Sequence, residues 1–294
     1  MKNTRVRNGT LAALAAFIVL GVPMVHAQEA TPVLQLTRTV DWSAARITLE
    51  ARRALDQATP SLVKAKADAE TDLEQHVPES LVQALGSLVV DSSHTLADYF
   101  SSDAALAARL HDTAAQAQRT DLYLSEDFST LVARYAIPFF GDRGIAVPFF
   151  PSRATPIRRR LGDVTTRPYT GVLIFAQGPL PAAGTTHTAT ARAALFPRLW
   201  DEQMNLVLDR SMCAPDALAR WGMVGYVQST DDPQVFLRAG ATPLRIAARG
   251  VFGDKDTDLV ISMDAARQLL ALPENIALLT QGKIVVVYDT VTEP

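Results

Sequence analysis

The chain has 294 residues, 48% hydrophobic and 20% charged, an ordinary globular composition with enough length for two modest domains or one large one. Collagen, coiled coil and wholesale disorder are excluded. Lys+Arg 28 against Asp+Glu 31 gives a net charge of −3, and −6 once Lys2, Arg5 and Arg7 of the first 27 residues are set aside, so no nucleic-acid-binding footprint is expected.

Lys2, Arg5 and Arg7 precede an apolar run from Leu11 to Val25 that ends in Val25-His26-Ala27 before Gln28. A basic head, an apolar middle and a small-residue cleavage site form a secretory signal peptide, here residues 1–27, cut after Ala27. The run is about 15 residues long, short of the ~20 that span a bilayer. It is also broken by Gly21 and Pro23, and position 28 is not the Cys that acylation requires. The mature protein is therefore expected in the periplasm or outside the cell, with no transmembrane segment after cleavage. Cys213 is the single cysteine, so no intramolecular disulfide can form; it reads as a small buried residue, with an intermolecular bridge as the alternative.

Residues 28–150 read as an N-terminal α+β domain. Ile47, Leu49 and Ala51 alternate with Arg46, Thr48, Glu50 and Arg52, a half-buried strand. Val33 to Val40 is its hairpin partner across the turn Asp41-Trp42-Ser43. Ser61 to Val77 is expected as a charge-rich helix. A second helix carries Leu81, Val82, Leu85, Leu88 and Val89 on one stripe, with Pro78 in its first turn. Ala104 to Gln118 is a third. Leu131, Ala133, Tyr135, Ile137 and Phe139 then alternate as a strand returning to the hairpin.

Residues 151–168 form a connector rich in Pro and Arg. Arg153, Arg158, Arg159, Arg160 and Arg167 gather there, either as a dock for an acidic partner, phosphate-rich lipid or acidic glycan, or as solvated charge. Residues 169–294 read as a strand-rich α/β domain with a mixed sheet. Its strands are expected at Gly171 to Ala176, Leu195 to Trp200, Leu206 to Leu208, Met223 to Val227, Leu244 to Phe252, Leu259 to Ser262 and Lys283 to Asp289. Two late helices are expected, Asp264 to Leu272 capped by Ser262 and another from Pro273 to Gly282.

No catalytic signature emerges. Asp254, Asp256 and Asp258 imitate the opening of a calcium loop, but its sixth and twelfth places hold Leu259 and Ala265 instead of Gly and Glu. Gly282-Lys283 lacks the upstream glycine of a phosphate loop. There is no G-x-S-x-G elbow, and His26, His76, His94, His111 and His187 have no partners at metal-ligand spacing. The Asp91-Ser92-Ser93-His94 run reads as turn and cap residues, and Asp201-Glu202 as a turn. Trp200 and Trp221 read as core aromatics, with a carbohydrate-stacking face as the alternative. Thr185, Thr186 and His187, in the loop Gly184 to Thr190, are candidates for a mobile ligand loop. No metal and no cofactor are expected.

Tyr169-Thr170-Gly171-Val172-Leu173-Ile174-Phe175-Ala176-Gln177-Gly178, Leu195-Phe196-Pro197-Arg198-Leu199-Trp200-Asp201-Glu202 and Gly240-Ala241-Thr242-Pro243-Leu244-Arg245-Ile246-Ala247-Ala248 follow one another in the second half. With Thr257-Asp258-Leu259-Val260-Ile261-Ser262, Ala265-Ala266 and a weaker echo in Val40-Asp41-Trp42-Ser43, this order resembles a largely uncharacterised family of exported bacterial envelope proteins, known from spirochaetes among others. More distantly it resembles small envelope lipoproteins that include flagellar outer-ring components. The resemblance implies a non-catalytic α/β module that works through protein–protein contacts, with envelope or flagellar proteins or with copies of itself. A periplasmic binding module using the cleft between the domains is the alternative, and a hydrolase the third.

Overall fold

A computed structural model describes residues 34–160 and 164–290; the expected signal peptide lies outside the described residues. The chain is α+β. It opens with the expected hairpin, β1 (Gln35–Asp41) against β2 (Arg46–Ala54), with Val40 facing Ile47 and Trp42 in the turn. Three helices follow, α1 (Leu62–Leu85), α2 (Leu96–Ser102) and α3 (Ala104–Ala115). Then come β3 (Gln118–Leu124) and β4 (Thr130–Pro138), and β4 returns antiparallel to β2. The sheet order is β1-β2-β4-β3, all antiparallel. Alternation places Ile47, Leu49, Ala51, Leu131, Ala133 and Ile137 inside, where α1 packs over β2 and β4.

One expectation fails instructively. Pro78 does not start a second helix; it sits inside the 24-residue α1. The buried residues Ala65, Ala69, Leu73, Val77, Leu81 and Leu85 recur every four positions across it. That continuous stripe on the core outweighs the lost hydrogen bond to the Glu74 carbonyl. Leu88 and Val89, expected on the helix, lie beyond its end. The edge strand β3 had escaped notice because most of its residues are exposed and carry no alternation.

The second half supplies β5 (Val172–Ala176), the small hairpin β6 (Pro179–Pro181) and β7 (Thr188–Thr190), and β8 (Leu199–Asp201) with β9 (Leu206–Leu208). Next are α4 (Pro215–Trp221), β10 (Gly225–Val227), α5 (Pro233–Ala239), β11 (Leu244–Ala247), β12 (Gly250–Phe252) and β13 (Asp258–Ile261). The chain closes with α6 (Met263–Ala271), α7 (Pro273–Thr280) and β14 (Ile284–Tyr288). One sheet, β10-β14-β5-β11, is wholly parallel, and every residue of β14 is buried, as a strand covered on both faces requires. The other, β12-β13-β8-β9, is mixed.

The single strand expected at Leu244 to Phe252 divides between these sheets. The Ala248 amide donates to Phe175 and the neighbouring Arg249 amide to Val260. The stretch expected as a strand from Leu195 is extended only at its end. Before that, the Leu195 and Phe196 amides donate to the Val89 and Val90 carbonyls at 3.1 and 2.8 Å, joining the halves. Ser92 strengthens the seam: its carbonyl accepts from the Lys255 amide, and its hydroxyl bonds Asp258. Gly253, at φ +92°, allows this approach, since a Cβ there would lie 2.4 Å from that of Ser92. Residues 32–294 accordingly form one compact unit, and its main buried cluster draws on both halves. Among the described residues no helix is long and apolar enough to cross a membrane.

Pro78→Ala restores a donor to the middle of α1 and should raise stability by about 1–3 kcal/mol, read as a higher urea midpoint. An unchanged or lower midpoint would show that the proline bend is itself required by the packing.

Candidate functional site

Between the two halves lies a cleft of about 320 Å³. One wall is the hairpin turn from Trp42 to Ala45 with the end of β4 from Pro138 to Gly141; the other is Arg220 and Trp221 of α4, Val224 to Tyr226 at β10, and Gln234 and Arg238 of α5. Trp42 anchors the first wall, its ring 4.9 Å from Phe139 and 5.6 Å, edge-on, from Tyr226. Two bonds tie the walls together: the Gly141 amide donates to Ala219 at 2.7 Å and the Gln234 amide nitrogen to the Ser43 carbonyl at 3.2 Å. The Tyr226 hydroxyl fixes the floor by accepting from the Ala194 amide and donating to the Ala194 carbonyl, both at 3.1 Å.

The polar centre of the cleft is Arg238, only 6% exposed. Its Nε donates to the Gly282 carbonyl at 2.7 Å, Nη1 to Trp221 at 2.8 Å and Nη2 to Gly222 at 2.7 Å. All three acceptors are backbone carbonyls. Burial pulls the guanidinium down to about 9, so it stays charged at neutral pH. Its Cζ lies 5.3 Å from the Trp221 ring and that of Arg220 5.8 Å, while the indole N–H of Trp221 donates to Gln281 at 3.0 Å. None of the residues lining the cleft is Asp or Glu. Two helix ends meet on Arg238, α4 through Trp221 and Gly222 and the end of α7 through Gly282; the partial negative charge of helix C-termini explains how a cation is held there without an acid.

Of the residues singled out from sequence, Trp221 lines the cleft; the connector arginines, the loop residues Thr185, Thr186 and His187, and Trp200 lie elsewhere. Of the connector arginines, Arg159 donates to the Ala271 carbonyl at 2.6 Å, and Arg160 pairs at 2.9 Å with the fully buried Asp201. Arg167 lies over the Tyr169 ring at 5.6 Å, while Arg153 and Arg158 are exposed. Three of the five thus fasten or face the protein itself. Thr185, Thr186 and His187 form the exposed turn of the β6–β7 hairpin, where the Thr185 hydroxyl donates to the Ala182 carbonyl at 2.7 Å. Asp201 makes the expected turn, accepting from the Gln203 and Asn205 amides.

His94 does contact an acid, with Nδ1 at 3.0 Å from Asp91. Asp91 also accepts from the Ser93 and His94 amides, both at 2.9 Å, which is the geometry of a turn. Trp200 donates its indole N–H to the buried Asp258, whose carboxyl burial pushes up. Among the described residues no group of three or more His, Cys, Asp or Glu side chains is placed to hold a metal ion.

The architecture is that of an α+β chain whose two parts, one helical over an antiparallel sheet and one strand-rich, share a seam and a cleft. Residues 33–142 match the family model described as Treponema pallidum Tp0624, N-terminal domain, and residues 171–290 match that described as Treponema pallidum Tp0624, second domain. Both halves are therefore similar to domains of one spirochaete protein, which supports the spirochaete-type family seen in the motifs. The likeness to flagellar lipoproteins receives no such support. Among curated proteins none matches.

Tyr226→Phe removes the partner of both Ala194 backbone groups and should cost about 1–3 kcal/mol with the fold retained, measured by denaturant unfolding and circular dichroism. For Asp91, burial raises the carboxyl, but the Ser93 and His94 donors outweigh it and leave it below its ordinary 3.8. Its stabilisation is therefore present above pH 3.8 and lost as pH falls through the depressed value. The stability gap between wild type and Asp91→Asn should be full above pH 3.8 and close below it; a gap unchanged at pH 2 would refute the assignment.

Proposed function

We propose that the protein is a non-catalytic binding protein of the bacterial envelope that takes its ligand in the cleft between its two halves. The observation that carries this reading is Arg238, a buried cation facing an aromatic-walled cavity without a carboxylate partner. Small-molecule sites have this make-up, concave and mostly apolar with a few convergent polar groups. The secretory head of the sequence agrees with an exported role.

A second reading, assembly with envelope or flagellar proteins or with further copies of the chain, draws on a separate feature. Phe236 and Leu237 of α5 are 67% and 73% exposed, beside Gln234 and Arg238 of the cleft. Contiguous exposed apolar surface is the kind of feature through which proteins make contact.

Photo-crosslinking residues placed at Ser43, inside the cleft, and at Phe236, on α5, separate the two in cells of the source organism. Labelling from Ser43 that is abolished by filling the cleft with Ala44→Trp is the expected result. Labelling from Phe236 alone, insensitive to Ala44→Trp, would replace the binding reading with assembly.

A further inference from the structure

We infer that α5 and the strand β11 form a docking face for a second copy of this chain, in a two-fold contact with the α5 helices crossed. The inference is independent of the ligand cleft; it rests on the assembly reading above and gives that reading a surface and a partner.

A parallel sheet is normally covered on both faces, and the sheet β10-β14-β5-β11 is covered unevenly. On one face, Leu244 and Ile246 of β11 join the main core with Ile174 and Val286. On the other, α5 sets Val235 and Ala239 against Leu173, Val227, Val285 and Val287. Register places Arg245 beside Leu173 and Ala247 beside Phe175, so these two β11 residues share the α5 face, and both are exposed. The helix packs on β10, β14 and β5 and leaves the fourth strand bare.

The turn of α5 directs apolar side chains to that gap. With about 100° per residue, Gln234 and Arg238 lie on the flank that lines the cleft, beside β10. Phe236 therefore lies on the opposite flank, beside β11, and Leu237 on the outer surface. They are 67% and 73% exposed. The result is a step, with an apolar ridge and a bare floor on one face, and a two-fold contact uses one such surface twice.

Charge selects the occupant. Arg245 stands on the floor near the start of β11, and Asp231 is exposed just before α5, at the other end of the step. Neither side chain has a hydrogen bond or ion pair among the described residues. Covering Arg245 with an apolar partner would bury an unpaired charge, which is costly. A second copy brings the missing acid. Crossed α5 helices set Asp231 of each copy against Arg245 of the other, with the two Phe236–Leu237 pairs meeting at the crossing.

The test is sedimentation of the purified protein across the micromolar range, at low and high salt. The protein should pass from monomer to dimer with rising concentration, and less readily in high salt, as a contact held partly by a charge pair does. Phe236→Ala together with Leu237→Ala should raise the dissociation constant at least about tenfold, with the circular dichroism spectrum and melting temperature retained because both side chains are exposed. Arg245→Asp and Asp231→Arg should each weaken the dimer about tenfold, and the two together should restore it to within about threefold of wild type.

A monomer at every concentration would overturn the second copy as partner. Labelling of a different protein from Phe236 in cells would then leave the assembly reading standing, and no labelling from Phe236 would remove that reading as well. A dimer indifferent to the paired alanine substitutions would overturn α5 as the contact. A double charge exchange as weak as the single ones would overturn the pairing of Arg245 with Asp231.

Discussion

A buried amide or carbonyl must find a partner, and the chain that leaves α1 finds its partners in the other half of the molecule. The Val89 and Val90 carbonyls accept from Leu195 and Phe196, and the Ser92 carbonyl from Lys255. Breaking this seam would strand backbone groups on both sides, so the two halves are held in register by hydrogen bonding as well as by their common apolar core. The cleft follows from that register. Trp42 and Phe139 belong to the first half and Tyr226 to the second, and their rings meet only because the seam has fixed how the sheets face each other.

The molecule solves the problem of buried charge in two different ways. Asp201 is fully buried and saturated, by the Asn205 side chain, two backbone amides and the Arg160 guanidinium. That is an internal brace with nothing left over for a ligand. Arg238 receives only carbonyls, gathered where two helices end. Carbonyl dipoles compensate a cation in part, and the remainder is what makes its neighbourhood chemically asymmetric. A similar contrast separates the connector arginines: the density of charge along the sequence allowed either a dock or solvated charge, while Arg159 and Arg160 are spent on α6 and on Asp201.

Local periodicity made much of the fold legible. Alternation at Ile47, Leu49 and Ala51 and at Leu131 to Phe139 announced the first sheet, and a serine cap with Pro273 and Gly282 announced the last two helices. The misreadings have physical causes. A proline in α1 was given its usual meaning, although the i, i+4 stripe from Ala65 to Leu85 continues through it. Residues 244–252 read as one strand because nothing local records that Ala248 and Arg249 bond to different sheets. The short α4 and α5 were missed despite a proline in the first turn and a glycine, at φ +78° or +73°, after the last.

The cleft itself was invisible for a different reason: Trp42 and Trp221 were each noticed, but their juxtaposition is tertiary. Arg238 carries no local mark of burial, since its helix also contains the exposed Phe236 and Leu237.

Cys213 gives the fold an internal clock. The thiol is fully buried just ahead of α4, in weak contact with the Leu279 carbonyl of α7, and burial pushes it up to about 12. A neutral, inaccessible thiol neither oxidises nor alkylates at an appreciable rate while the layer is closed. Each labelling event therefore records a separation of the start of α4 from the end of α7, so the rate at which one sulfur reacts measures how often that packing comes apart.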